Sequence, residues 1–248
     1  MIVSAESPAQ TGASEIQSTV VPWSVRDCWL GVGAVVFLLL AAVTAVVVAR
    51  YSGALAPLLA SRSKYLEAVA ATALEIVYLV PVMVILPWRH AGWQTLGFRK
   101  FSSGNLGIGC GLLILTYMAV IIYNTFLMML KIGTQGTSLL ELLRASDWPV
   151  GYVIPTVIAA PFAEEIFFRG FLFQGLRPKL GWNVAALLSS SVFAVMHLQL
   201  AALIPTFLLG YLFSFAYHRS NSIWPGIILH FLVNAFGICA SLAVLRFT

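Results

Sequence analysis

Two adjacent glutamates lie inside one of the most apolar stretches of this chain. Glu164 and Glu165 interrupt the run from Val150 to Phe173, and Arg169 follows four positions after the second. Only nine acidic residues occur in 248 positions, so a pair within a hydrophobic run needs a physical reason. An ionised carboxylate in hydrocarbon is costly unless it is paired, protonated or facing water, which makes such residues functional candidates. Two further apolar stretches carry a histidine each, Phe193-Ala-Val-Met-His197 and His230-Phe-Leu-Val-Asn234.

These residue types suit the activation of water. A carboxylate in a low-dielectric pocket is a stronger base than one in bulk solvent. One imidazole can help to hold the water, while a second imidazole and an amide can donate hydrogen bonds to a developing oxyanion. No serine stands in a recognisable nucleophile motif and no glycine-rich phosphate loop appears. Hydrolysis by activated water is the reaction class that this set implies.

Helical elements must position these groups. Residues four apart on a helix are neighbours, so Glu165 can pair with Arg169, Phe193 shares a face with His197, and His230 shares one with Asn234. Glu164 is turned about 100° from Glu165 and is free to face elsewhere. Glu164 lies 17 positions before Gly181 and His197 lies 16 after it, so an antiparallel hairpin turning there brings both to one level. His230 stands only nine positions past Asn221, so the first hairpin must protrude further than the second.

The composition requires a membrane. Sixty per cent of residues are apolar and nine per cent charged, whereas about a quarter are charged in a soluble domain. The apolar runs reach the roughly 20 residues that a spanning helix needs, which excludes the short alternating segments of a transmembrane barrel. An all-α polytopic fold of about seven transmembrane helices, enclosing a polar cavity, is expected. The spans are read at Trp29–Ala49, Leu66–Trp88, Leu106–Leu130, Pro149 through Arg169, Trp182–Leu198, Ala201–Tyr217 and Ile223–Leu245. A short surface helix is read near Leu139–Arg144. Pro81 interrupts the second span, and Pro155 and Pro161 bend the fourth. Residues 1–26 read as a mobile polar tail without signal-peptide character. Residues 27–248 form one transmembrane domain with its catalytic core at about 149–245.

The net charge of +5 falls mostly in short loops, which implies anionic lipid head groups as neighbours rather than nucleic acid. Lysine and arginine divide too evenly to fix the orientation. Cys28, Cys110 and Cys239 are scattered, with no spacing for a disulfide framework or a thiolate metal site. Glu75, in the second span, either lines the same cavity or pairs with a polar group such as Asn124; pairing is the favoured reading. His90 and His218, each beside an arginine, read as solvated interface residues.

Glu164-Glu165-Ile-Phe-Phe-Arg169, Phe193-Ala-Val-Met-His197 and His230-Phe-Leu-Val-Asn234 match, in order, the EExxxR, FxxxH and HxxxN motifs. The chain thereby resembles the CPBP intramembrane endopeptidases, also called the Abi or type II CAAX prenyl endopeptidase family. The match covers roughly Pro149–Leu245, and the first three spans carry no such motif. The resemblance implies that Glu164 activates water together with His197, while His230 and Asn234 stabilise the oxyanion. Glu165 and Arg169 would orient the first carboxylate, and Phe193 would pack beneath His197. Peptide or protein substrates at the membrane, prenylated or not, are implied, as is a multi-pass location in a prokaryotic cell membrane.

No cofactor is expected. The alternative weighed is a zinc ion on Glu164, His197 and His230, disfavoured because no short-spaced ligand pair exists and Arg169 takes up Glu165. Two other classes compete: a non-hydrolytic binding protein of the bacteriocin-immunity or secretion-accessory kind, and a proton-coupled transporter. The complete motif set weighs against the first and the absence of an internal repeat against the second.

Overall fold

The computed structural model describes residues 21–53, 64–146 and 148–247. Among them every regular element is helical. Most of the stretch read as a tail, residues 1–20, lies outside the described residues. Trp23, within that stretch, is buried: its indole stacks on Phe171 at 5.6 Å and donates to the Phe171 carbonyl at 3.1 Å.

Helix α1 (Val25–Tyr51) starts four residues earlier than Trp29 because Ser24 caps it. The Ser24 hydroxyl accepts from the Asp27 amide, and the Asp27 carboxylate accepts from the Ser24 amide, satisfying two orphan donors at the helix end. Asp27 also pairs with Arg89 at 2.8 Å, which ties α1 to the end of the second span.

That span is broken in two, α2 (Lys64–Ile76) and α3 (Leu79–Trp88). Pro81 has no N–H to offer the Val77 carbonyl, so the helix turns at Val77–Tyr78 and Val80 bonds Val77 instead. Helix α4 (Ser103–Met129) is capped by Ser102. Helix α5 (Gln135–Ala145), the expected surface helix, is amphipathic and is fixed by a capping box of Thr134 and Thr137.

The motif-bearing half is a pair of helical hairpins. Helix α6 (Pro149–Leu180) is one long run. It is wound as a π-helix over Ile154–Ala159 and again over Ile166–Phe173, with a short α-helical piece, Ala160–Glu165, between them. Pro155 and Pro161 remove donors from the ladder, and wide turns of this kind concentrate at functional sites. Gly181, at φ 76° and ψ 160°, makes the turn into α7 (Trp182–Met196), a conformation that disfavours a side chain. Helices α8 (Leu203–Ser220) and α9 (Trp224–Phe247) form the second hairpin, closed by Asn221 in the left-handed region. The Arg177 guanidinium donates to Asn221 at 3.1 Å, so the first turn lies about one helical turn beyond the second.

Among the described residues six helical spans are long and apolar enough to cross a membrane, α2 and α3 together making one of them, and α7 is a shorter apolar helix. The chain is an all-α, multi-pass membrane protein. Its core is built on α6: Phe167, Phe168, Phe171 and Phe173 are all fully buried. The faces of α1 and α4 are left largely to lipid.

One connection locks the loop after α3 to the second hairpin. The Tyr217 hydroxyl donates to the Leu96 carbonyl at 3.1 Å, and the Ile223 amide donates to Gly97 at 2.9 Å. A Cβ on Gly97 would collide with the Tyr217 hydroxyl, and its φ of 97° is unfavourable for any side chain. Gly97→Ala is expected to lower the melting temperature in detergent by about 4 °C or more. Scanning fluorimetry of the purified variant checks this; an unchanged value would mean that the loop does not anchor the hairpin.

Candidate active site

Arg169 is the hub of the polar cluster. It is fully buried, and its Nη1 donates to Glu165 Oε1 at 2.8 Å while Nη2 donates to the Gly210 carbonyl on α8 at 3.0 Å. Three aromatic rings complete its shell: Phe193 at 4.5 Å, Phe213 at 5.2 Å and Phe168 at 5.8 Å from the guanidinium carbon. Such faces favour a desolvated cation. Gly210 permits the approach, because a Cβ there would stand 3.0 Å from Phe193 and 3.2 Å from Arg169 Nη2.

Glu165 has a second partner besides Arg169. His230 Nδ1 lies 3.1 Å from Glu165 Oε1. A carboxylate can only accept, so Nδ1 carries the hydrogen and Nε2 is turned outward. That nitrogen lies 3.6 Å from Glu164 Oε2. One imidazole thus bridges the two carboxylates, stacked on Phe213 at 5.0 Å. The reading in which Glu165 serves Arg169 alone is corrected by this contact. A carboxylate that orients a histidine is thus present.

Glu164 is buried, and its Oε2 accepts no hydrogen bond from the described residues. It stands on the α-helical piece between the two π-helical stretches, so the carboxylates point in different directions on either side of His230.

His197 caps the end of α7. Its Nδ1 lies 2.8 Å from the Phe193 carbonyl, which fixes the hydrogen on Nδ1 and leaves Nε2 with a free lone pair. Phe193 is the connecting ring: it contacts His197 at 4.8 Å, His230 at 6.0 Å and the Arg169 guanidinium. The spacing that paired Phe193 with His197 is therefore realised in the carbonyl as well as in the ring.

Asn234 is placed differently from the other motif residues. Its Nδ2 donates to the Thr156 carbonyl at 2.7 Å, in the first π-helical stretch of α6. One of its two N–H groups fastens α9 to α6, and none of its hydrogen bonds goes to another motif side chain. Carbonyls of the second π-helical stretch are likewise taken by side chains: Ser189 donates to Phe168 at 2.9 Å and Trp23 to Phe171.

The structure thus gathers Glu164, Glu165, Arg169, Phe193 and His230 into one contact network, joins His197 through Phe193, and sets Asn234 one turn further along α9. Two supporting residues were not read from the sequence. Phe213 belongs to no motif and gives no local signal. Gly226 lies four positions before His230, on the same face of α9, and a Cβ there would come within 2.7 Å of Glu165 Oε2. That spacing was available in the sequence.

Removing one member of a buried ion pair leaves the other uncompensated, at a cost of about 3–5 kcal/mol. Arg169→Ala is expected to lower the melting temperature by about 6 °C or more. Gly226→Ala should also destabilise, whereas Gly237→Ala, where a Cβ meets nothing within 4 Å, should be neutral or stabilising. Equal behaviour of the two glycine variants would show that Glu165 does not need the space beside Gly226.

Residues 146–236 match the profile of the Rce1-like type II CAAX prenyl endopeptidases. The chain is 34% identical over 94 residues to the Bacillus subtilis protein named "Putative membrane peptidase YdiL", covering 38% of each. It is 33% identical over 81 residues to the Lactococcus lactis protein named "UPF0177 protein YxdF", covering 32% of this chain and 44% of that one. The aligned stretch is thus less than half the length of either relative. No solved structure matches the chain. Both relatives are bacterial, in keeping with a multi-pass protein of a prokaryotic membrane. The matched stretch runs from just before α6 to just past the HxxxN motif, so the likeness to the Rce1-like type II CAAX prenyl endopeptidases is confined to the motif-bearing part of the chain.

Proposed function

We propose that the protein is a CAAX-type intramembrane endopeptidase that hydrolyses peptide bonds of membrane-associated or prenylated substrates with a glutamate-activated water. The observation that carries this reading is the Glu164 carboxylate. Its Oε2 is buried, accepts no hydrogen bond from the described residues and faces the outward nitrogen of His230 at 3.6 Å. A carboxylate base next to an imidazole that can act as a donor is what carbonyl hydrolysis requires.

Glu164 takes a proton from water as the water oxygen bonds to the scissile carbonyl carbon. His197, fixed by the Phe193 carbonyl, presents a bare Nε2 that accepts the water's other hydrogen. The carbonyl oxygen becomes an oxyanion facing Nε2 of His230, which stabilises it when that nitrogen carries a hydrogen, while Glu165 holds Nδ1. The second N–H of Asn234 serves the same charge. On collapse the C–N bond breaks and Glu164 returns its proton to the leaving amine. Glu165, Arg169 and Phe193 hold the base and the imidazoles in place.

This chemistry uses each residue without a metal, and the proposal is a metal-independent hydrolase. The residue types of the zinc alternative, one carboxylate and two imidazoles, are suitable ligands. Among the described residues, however, no group of three His, Cys, Asp or Glu side chains is arranged so that it could hold a metal ion. Loss of activity to a membrane-permeable chelator, restored by stoichiometric zinc and accompanied by about one bound zinc per chain, would overturn this part.

Glu164→Gln is expected to reduce cleavage by 10²-fold or more while the protein stays folded in the membrane. New protein termini, compared by proteomics between membranes holding the active chain and that variant, read this out and reveal the substrates. Termini that persist with Glu164→Gln would remove Glu164 from the mechanism. His230→Ala and Asn234→Ala should lower kcat by about 10²–10³-fold with little change in KM, since oxyanion donors act in the transition state. A pure KM effect would reassign them to substrate binding.

A further inference from the structure

Glu75 is a buried acidic group that the mechanism above leaves unused. Its helix, α2, packs along the first half of α6. Two ring contacts fix the register. Near the start of α2, Tyr65 meets Trp148 edge to face at 5.1 Å. Just past its end, Tyr78 meets Phe167 at 5.8 Å and Phe168 at 5.5 Å. The order of these contacts is the same on both segments, so α2 and α6 run parallel. Glu75 precedes Tyr78 by three positions and Glu164 precedes Phe167 by three. The two glutamates therefore stand at one level across the α2–α6 interface. Asn124, the partner weighed from the sequence, makes no hydrogen bond with Glu75 in the structure; Glu75 Oε2 is buried and accepts from no group of the described residues. Glu164 Oε2 is in the same condition, and the two carboxyl groups are near enough for their charges to repel.

Two buried acceptors at one level, neither served by a donor of the described residues, suit one small molecule with two donors. We propose that Glu75 is a further residue of the active site: Glu164 Oε2 accepts one O–H of the nucleophilic water, Glu75 Oε2 shares the other with His197 Nε2, and together they orient that water for attack. The inference rests on the hydrolase reading and deepens it. Glu75 gains and loses nothing in the step: the proton leaves the water for Glu164 while Glu75 holds the oxygen in line with the carbonyl carbon. It also gives the first half of the chain, outside the matched stretch, a part in the chemistry.

The test combines kinetics with a stability cycle on the full chain in detergent and in vesicles. Glu75→Ala is expected to lower kcat by about ten- to a hundredfold with KM within about twofold. Its melting temperature should hold or rise, because an unserved buried carboxyl is removed. Glu75→Gln, which keeps an acceptor oxygen, should recover a substantial part of that loss. A kcat within about twofold of wild type for Glu75→Ala would overturn the proposal, as would a Gln variant no better than Ala. The thermal shifts of Glu75→Gln and Glu164→Gln should fail to add in the double variant by about 2 °C or more. Additive shifts would overturn the proximity of the two groups. This arm needs no activity, so a chain that cleaves nothing refutes the hydrolase reading while the cycle still decides the pairing.

Discussion

A guanidinium enclosed on every side by a bilayer protein tolerates few arrangements of its neighbours. Arg169 has no exposed surface, so its charge and the N–H groups of Nη1 and Nη2 are met from within, while Nε finds no acceptor among the described residues. Glu165 supplies the counter-charge from the same helix, Gly210 supplies a carbonyl from α8, and Phe193 and Phe213 supply faces from α7 and α8. The shared carboxylate then reaches α9 through His230. Four helices are thus oriented by the demands of one cation. An ion pair of this kind is weak evidence for stability as such, because desolvation offsets its attraction. Its value here lies in specifying which faces meet.

The backbone of α6 contributes as much as its side chains. π-Helical turns open the ordinary ladder, and the carbonyls of Thr156, Phe168 and Phe171 accept from Asn234, Ser189 and Trp23. These bonds join α6 to α9, to α7 and to the segment before α1. A straight α-helix through the same sequence would present Glu164 and Glu165 at another angle to His230. Two prolines and a double π-winding therefore belong to the site as much as the glutamates do.

Much of this was legible in the residues. The i, i+4 spacings of Glu165–Arg169, Phe193–His197 and His230–Asn234 announced shared faces, and the lengths on either side of Gly181 announced a common level. Composition alone required helices in a membrane. What escaped lay in partners chosen across the fold. Nothing local says that Asn234 meets a carbonyl of α6, or that Phe213 stacks on His230. The double duty of Glu165 was invisible because sequence spacing reports only the partner on its own helix. Pro81 signalled a break, but its place, at Val77–Tyr78, follows from which carbonyl loses its donor. Glu75 could be seen as anomalous and no more, since its register with Glu164 depends on ring contacts between distant segments.

The brevity of α7 bears on how water arrives. Fifteen residues rise about 22 Å, whereas a hydrocarbon core is about 30 Å thick. The helix ends at Met196, and His197 follows with the exposed Leu198 and Leu200. A bilayer meeting such hydrophobic mismatch thins locally or admits polar defects. Either response draws the aqueous boundary inward on the side of His197. The short span thus acts as a dimple in the membrane, and hydration of the site becomes a property of lipid thickness as well as of protein sequence.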